Sequence, residues 1–186
     1  MPFAAAPEVL EFDRHAILSG GIWRLWSGHL VHYSAQHALI DIATALVAAV
    51  IAAQAFGVRR VLVALTLGAP LISGGLLLTA PDCLYYRGAS GLAVMLTVMA
   101  GAGLWQRARR PARCALVLLA LTLAAKIAAE ALGLTLSWSD LPNDVAVAWQ
   151  AHAVGALIGA AAARVRVPVV LNNRCRHNRS EASSGR

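Results

Sequence analysis

The sequence predicts an all-α, polytopic membrane helix bundle, and three observations support this fold class. Of the 186 residues, 59% are hydrophobic and 13% are charged, whereas soluble domains average about 45–50% and about 25%. The hydrophobic residues are concentrated in five runs, each near the roughly 20 residues that cross the hydrocarbon core of a bilayer. The arginines lie in short loops between these runs, where they set membrane topology. We therefore expect the net charge of +7 to reflect membrane insertion, with no nucleic-acid partner.

The segment 1–34 is not predicted to cross the membrane. The charged residues Glu8, Glu11, Asp13, Arg14 and Arg24 interrupt every apolar stretch in it. Trp23 and Trp26 suit the boundary between water and lipid. We expect a loop segment that lies on the periplasmic surface of the membrane or slightly within it.

A transmembrane domain is predicted over residues 35–163. Its five spans are residues 35–56, 61–79, 88–105, 114–134 and 145–163. The remainder, 164–186, is predicted to be a basic cytoplasmic tail, disordered beyond about residue 172.

The distribution of arginines predicts the orientation of the spans. Twelve arginines lie in the loops after spans one and three and in the tail after span five, whereas three lie on the opposite side, Arg14, Arg24 and Arg87. By the positive-inside rule the C-terminus is cytoplasmic and the N-terminus lies outside. No signal peptide is recognisable. We therefore expect either a six-span architecture without its first helix or a start codon upstream of Met1.

This orientation brings three polar residues of different spans to one depth. His37, Ser90 and His152 all fall near the outer ends of spans that enter from outside, with His152 expected about two turns in. Polar residues inside spans are costly and usually face the bundle interior. Gly155 and Gly159 form a small-xxx-small face that lets helices approach closely. A histidine in contact with a serine hydroxyl can remove its proton during nucleophilic attack.

Four stretches together resemble the rhomboid family of intramembrane serine proteases. Gly88-Ala89-Ser90-Gly91 resembles the GxSG motif of that family, and His152 with its following glycines resembles the final-helix segment. The stretch from His32 through His37 to Asp41 is similar to the H-x4-H-x3-N pattern of the second helix, and Trp23-Arg24 resembles a pair in the first periplasmic loop. Over residues 14–37 and 86–91 the chain looks closest to the rhombosortase subgroup.

The resemblance implies a six-helix fold with a Ser–His dyad and no cofactor or metal. Ser90 would be the nucleophile and His152 the general base, while His37 and the backbone of Gly88 and Gly91 would support the oxyanion. Asp41 departs from the family pattern, which has asparagine there. An ionised aspartate would repel an oxyanion, so Asp41 would serve only if protonated, or by orienting His37 or a water. The implied substrates are exported proteins with a transmembrane anchor, in rhombosortases a C-terminal Gly-Gly sorting anchor.

Other interpretations of the same residues stay open at this point. Lys126 and Glu130 lie one helical turn apart and are predicted to form a structural ion pair. His29 and His32, with His37 and His152, could instead bind a metal or haem, as in a small haem- or quinone-binding membrane protein. A further alternative is a non-catalytic rhomboid-like protein that binds transmembrane helices, with Asp41 as a mark of lost activity.

Overall fold

A computed structural model describes residues 6–134 and 147–164 of the chain, and its long elements are all helices. The elements are α1 (Ala6–Leu10), β1 (Phe12–Asp13), α2 (Arg14–Leu18), α3 (Arg24–Ser27), a short 3-10 turn (Gly28–Leu30), α4 (Ala35–Phe56), α5 (Val58–Thr79), β2 (Tyr85–Tyr86), α6 (Ser90–Arg107), α7 (Arg110–Ala131) and α8 (Trp149–Arg164). The predicted all-α bundle is confirmed. The predicted tail lies outside the described residues except for Arg164.

The five long helices correspond to the five predicted runs. Among the described residues, α4, α5 and α7 are long and apolar enough to cross a membrane. The helices α6 and α8 are shorter, with 18 and 16 residues, and they are richer in glycine and alanine. The described part of the chain thus contains three candidate spans, against the five that were predicted.

Local signals explain why the helices begin and end where they do. The Ser34 side chain accepts a hydrogen bond from the backbone N–H of His37 at 3.1 Å, which caps the N-terminus of α4. Gly57, with a φ of +85°, separates α4 from α5 and permits an immediate reversal. The fifth helix differs from its prediction because Val147 and Ala148 are not helical and α8 begins at Trp149.

The centre of the bundle is α6, which packs most extensively against α8 and α4. Its Met95, Leu96 and Met99 are fully buried, together with Ile72 and Leu76 of α5. In contrast, most residues of α7 are exposed. Its exposed leucines suit contact with lipid, because lipid is as apolar as a protein interior.

The N-terminal segment folds onto the bundle. The strand β1 pairs with β2 in an antiparallel ribbon, with Phe12 opposite Tyr86. The Arg14 guanidinium donates to the carbonyl oxygen of Leu77 at 2.6 Å, and Arg87 forms an ion pair with Glu11 at 2.6 Å. These contacts connect the loop before α6 to the N-terminal segment.

Trp26 compensates for a proline within α5. Pro70 has no N–H, so the carbonyl oxygen of Thr66, four residues earlier, loses its usual helical donor. The indole Nε1–H of Trp26 donates to that oxygen at 2.9 Å. The tryptophan therefore contacts the bundle directly, while its side chain is also partly exposed to the surroundings.

Candidate active site

Ser90 is the first residue of α6, at an uncapped helix N-terminus. The preceding residue, Ala89, has no side chain that could cap the helix. The first N–H groups of a helix have no intrahelical acceptor, so those of Ser90 and Gly91 point out of the helix end as donors. A helix N-terminus also carries partial positive charge. The hydroxyl of Ser90 therefore lies beside donors suited to a negatively charged oxygen.

The N-terminal ends of α6 and α8 are in backbone contact next to Ser90 and His152. A Cβ on Gly91 would lie 3.0 Å from the carbonyl oxygen of Ala151, the residue before His152. A Cβ on Gly155 would overlap the carbonyl oxygen of Gly91, and one on Gly159 would overlap that of Met95. The three glycines thus allow the two helices to pack backbone to backbone.

His152 lies in the first turn of α8, because α8 begins at Trp149. It is therefore nearer the N-terminus of its helix than the two turns expected from the sequence. Its side chain is buried. The backbone at Ala151 and His152 therefore lies next to the N-terminus of α6, where Ser90 begins the helix.

His37 and Asp41 lie against the glycine that precedes Ala89 and Ser90. Gly88 has a φ of +131°, and a Cβ there would lie 3.0 Å from His37 Nε2 and 3.1 Å from Asp41 Oδ2. This is a conformation that residues with side chains rarely adopt, and the position has no space for one. The glycine therefore permits the loop before Ser90 to approach the His37 and Asp41 side chains.

Asp41 lies between two histidines. Its Oδ2 atom is 3.3 Å from Nε2 of His37 and 3.3 Å from Nε2 of His32, and neither contact has the angles of a hydrogen bond. The His32 Nε2 also lies 3.4 Å from the backbone N–H of Ala89. Burial lowers the pKa of His32, and the Asp41 carboxylate opposes this effect. Asp41 is thus placed to orient the two rings beside the N-terminus of α6.

Glu130 contacts His152, a contact that the sequence did not predict. Its Oε2 atom lies 2.6 Å from His152 Nδ1, and its Oε1 atom accepts a hydrogen bond from Lys126 Nζ. The side chains of Glu130 and His152 are each 5% exposed. The expected Lys126–Glu130 pair is present, but the same carboxylate also reaches a second helix. The position of Glu130 at the end of α7 nearest His152 was the signal that could have indicated it.

The family model for the rhomboid domain matches residues 19–169, which is most of the chain. The chain belongs to the rhomboid family. No curated protein matches it in sequence. Rhomboids are intramembrane serine proteases, and the matched residues include Ser90, His152 and His37.

His29 and Tyr86 are buried next to the loop Gly88–Gly91, which resembles the rhomboid GxSG motif. The His29 ring nitrogens lie 3.3 Å from the carbonyl oxygen of Gly88 and 3.0 Å from that of Ala69. Burial lowers the pKa of His29. Burial raises the pKa of the Tyr86 hydroxyl, which lies close enough to Ser90 to be affected by it but has no partner in hydrogen-bond geometry. His29 was not expected near the loop, because the N-terminal segment was predicted to lie on the membrane.

The histidines do not converge on one point. His29, His32 and His37 contact the loop before Ser90, whereas His152 is paired with Glu130 of α7. Within the described residues, no group of three histidine, cysteine or acidic side chains could hold a metal ion. The geometry gives no support to the interpretation of these four histidines as a common metal or haem site.

Proposed function

We propose that this rhomboid is an intramembrane serine endopeptidase in which Ser90 is the nucleophile and His152 the general base. The observation that carries the proposal is the backbone contact between α6 and α8 at Gly91 and Ala151. Each of these glycine or alanine residues is adjacent in sequence to one member of the pair. Ser90 and His152 therefore lie beside the point where the backbones of α6 and α8 are in contact.

The proposed chemistry is acyl transfer. The Ser90 Oγ attacks a peptide carbonyl while His152 accepts its proton, and the proton is then given to the leaving amine as the peptide bond breaks. Water then attacks the acyl-enzyme while His152 accepts its proton, and this proton passes to the Ser90 Oγ as the ester bond breaks. The products are two peptide chains and free enzyme.

The oxyanion of the tetrahedral intermediate is proposed to bind at the N-terminus of α6. Backbone N–H groups of Ser90 and Gly91 would donate to it, with His37 as a side-chain donor across Gly88. Such donors are typically worth about 2.7–4 kcal/mol each in transition-state stabilisation. Asp41 would act by holding His37 and His32 in position, since its carboxylate lies beside both rings.

The proposed substrates are transmembrane anchors of exported proteins. The excess of arginines on one side supports a cytoplasmic C-terminus and an active site that faces the periplasm, with the protein in a bacterial inner membrane. A substrate helix must unwind locally before a peptide bond is accessible, so glycines near the outer interface would favour cleavage. The likeness to rhombosortases points to C-terminal Gly-Gly sorting anchors.

A fluorophosphonate serine probe tests the assignment. Wild-type protein in detergent should be labelled, whereas Ser90→Ala and His152→Ala should not be. Ser27→Ala is the matched control, because it removes a serine hydroxyl that bonds only the carbonyl oxygen of Leu10 at an exposed site. Labelling that persists in Ser90→Ala contradicts the nucleophile assignment.

The second candidate is a non-catalytic rhomboid that binds transmembrane helices, and Asp41 favours it. A negative charge near the proposed oxyanion site would oppose catalysis. If this candidate is correct, folded wild-type protein binds an anchor peptide but neither cleaves it nor reacts with the probe.

A reporter with a Gly-Gly anchor, compared with one in which both glycines are leucine, distinguishes the proposed specificity from general anchor cleavage.

A further inference from the structure

Glu130 is unusual among the described residues of α7. That helix lies at the edge of the bundle, and most of its residues are exposed. The Glu130 side chain is nevertheless only 5% exposed, whereas the Lys126 side chain one turn earlier is 54% exposed. The carboxylate is thus turned from the edge of the bundle toward α8.

The hydrogen-bond partners of Glu130 determine which nitrogen of His152 carries the proton. Lys126 provides a positive charge, so the carboxylate stays ionised and can only accept. The 2.6 Å contact with His152 therefore requires a proton on Nδ1. In a neutral imidazole the other nitrogen, Nε2, is then unprotonated and is the basic atom.

We propose that Glu130 is a positioning residue for His152, an inference that rests on the proposed serine protease activity. Its carboxylate fixes the ring and leaves Nε2 free to accept the Ser90 proton. When that proton arrives, the ring becomes an imidazolium, and the adjacent carboxylate stabilises its charge. The proton stays on the ring and does not pass to Glu130.

The other helices packed on α8 offer no alternative partner for this charge. These are α5 and α6, and their ionisable side chains are Arg59, Arg60 and Arg107, at the ends remote from Ser90. Arg60 in fact donates to the carbonyl oxygen of Ala162, near the C-terminus of α8. Among the described residues of the helices packed on α8, Glu130 is therefore the charged group positioned to act on His152.

The test compares Glu130→Gln, Glu130→Asp and a control on the same helix. Glutamine keeps the shape but can donate to Nδ1, which stabilises the tautomer with the proton on Nε2. The rate of fluorophosphonate labelling and the kcat for cleavage of the Gly-Gly anchor reporter should therefore fall by about tenfold or more, with the KM for the reporter unchanged. Aspartate keeps the charge and should recover part of the rate. The control is Thr122→Val, two turns before Glu130. It removes an exposed hydrogen bond to the carbonyl oxygen of Leu118 and should match wild type. Melting midpoints are measured in the same detergent for all four proteins.

A second measurement needs no folded Glu130 variant. Nitrogen-15 NMR of histidine-labelled wild type, with the His152 signals assigned from their loss in His152→Ala, should show a protonated Nδ1 and an unprotonated Nε2. The opposite tautomer overturns the inference, as do equal labelling rates of wild type and Glu130→Gln. Equal losses of rate in Glu130→Gln and Glu130→Asp, with lowered melting midpoints, would mean a structural role and also overturn it. Folded wild type that is not labelled at all overturns the proposed function, and this inference with it.

Discussion

Gly155 is the residue whose replacement most directly perturbs the contact between α6 and α8. A Cβ there would overlap the carbonyl oxygen of Gly91, the residue that follows the proposed nucleophile. The shortest carbon–oxygen contacts in proteins are about 3.3 Å. In Gly155→Ala, α6 and α8 must therefore separate by about 1 Å. Ser90 and His152 lie on opposite sides of this contact and would move apart with them.

The size of the effect follows from that displacement. Overpacking of this kind costs about 1–3 kcal/mol, and the better helix propensity of alanine returns about 1 kcal/mol. A misplacement of about 1 Å between reacting groups can lower the rate about 10²-fold, equivalent to about 2.7 kcal/mol. We therefore expect Gly155→Ala to lose about 2.7 kcal/mol in labelling rate and about 0–2 kcal/mol in stability.

Gly101→Ala is the matched control for this change. Gly101 lies within α6, and a Cβ there meets nothing within 4 Å. The control should melt at or above the wild-type temperature and be labelled at the wild-type rate. The rate of fluorophosphonate labelling and the melting midpoint are measured for both variants. If Gly155→Ala reacts as fast as Gly101→Ala, the close approach of these helices does not hold the site together.

Three further predictions concern the other side of Ser90. Gly88→Ala should slow labelling by about tenfold or more, since a Cβ would press on His37; Gly20→Ala, also at positive φ but in open space, should lose only about 1–3 kcal/mol of stability from strain, and equal rates in both would contradict this. Asp41→Asn, which keeps a side chain of the same shape beside both histidine rings, should be labelled faster than Asp41→Ala, which removes it; the reverse order would be evidence against the orienting role. The melting midpoint should decrease as the pH is lowered from about 7.5 to about 5.5, because burial lowers the pKa of His29 and His32. The unfolded chain then binds more protons below its own histidine pKa of about 6.5 and is favoured by up to about 1.4 kcal/mol per histidine for each pH unit; a midpoint that is constant or rises on acidification would count against it.

The helices could be predicted from the sequence where local signals mark their ends. The prediction for residues 35–56 coincides with α4 (Ala35–Phe56), since Ser34 caps one end and Gly57 terminates the other. The start of α8 was predicted four residues too early, because Val147 and Ala148 continue the apolar pattern without being helical. Hydrophobic periodicity reports burial in protein or lipid but not where a helix begins within an apolar run.

Contacts between distant residues could not be predicted in the same way. The ribbon of β1 and β2 has two residues in each strand, too few for any alternation of polar and apolar residues. The Glu130–His152 contact depends on how α7 leans against α8, and the spacing of Lys126 and Glu130 indicated only the pair within α7. The glycines at 91, 155 and 159 were informative because a close helix approach needs small residues, wherever the partner lies.

The most direct test of the central claim is mass spectrometry that locates the fluorophosphonate adduct on the folded protein. The account predicts one phosphonyl group on Ser90, formed in wild type and absent in His152→Ala. An adduct on another residue, or a folded wild-type protein that carries none, would contradict the assignment of Ser90 as the nucleophile.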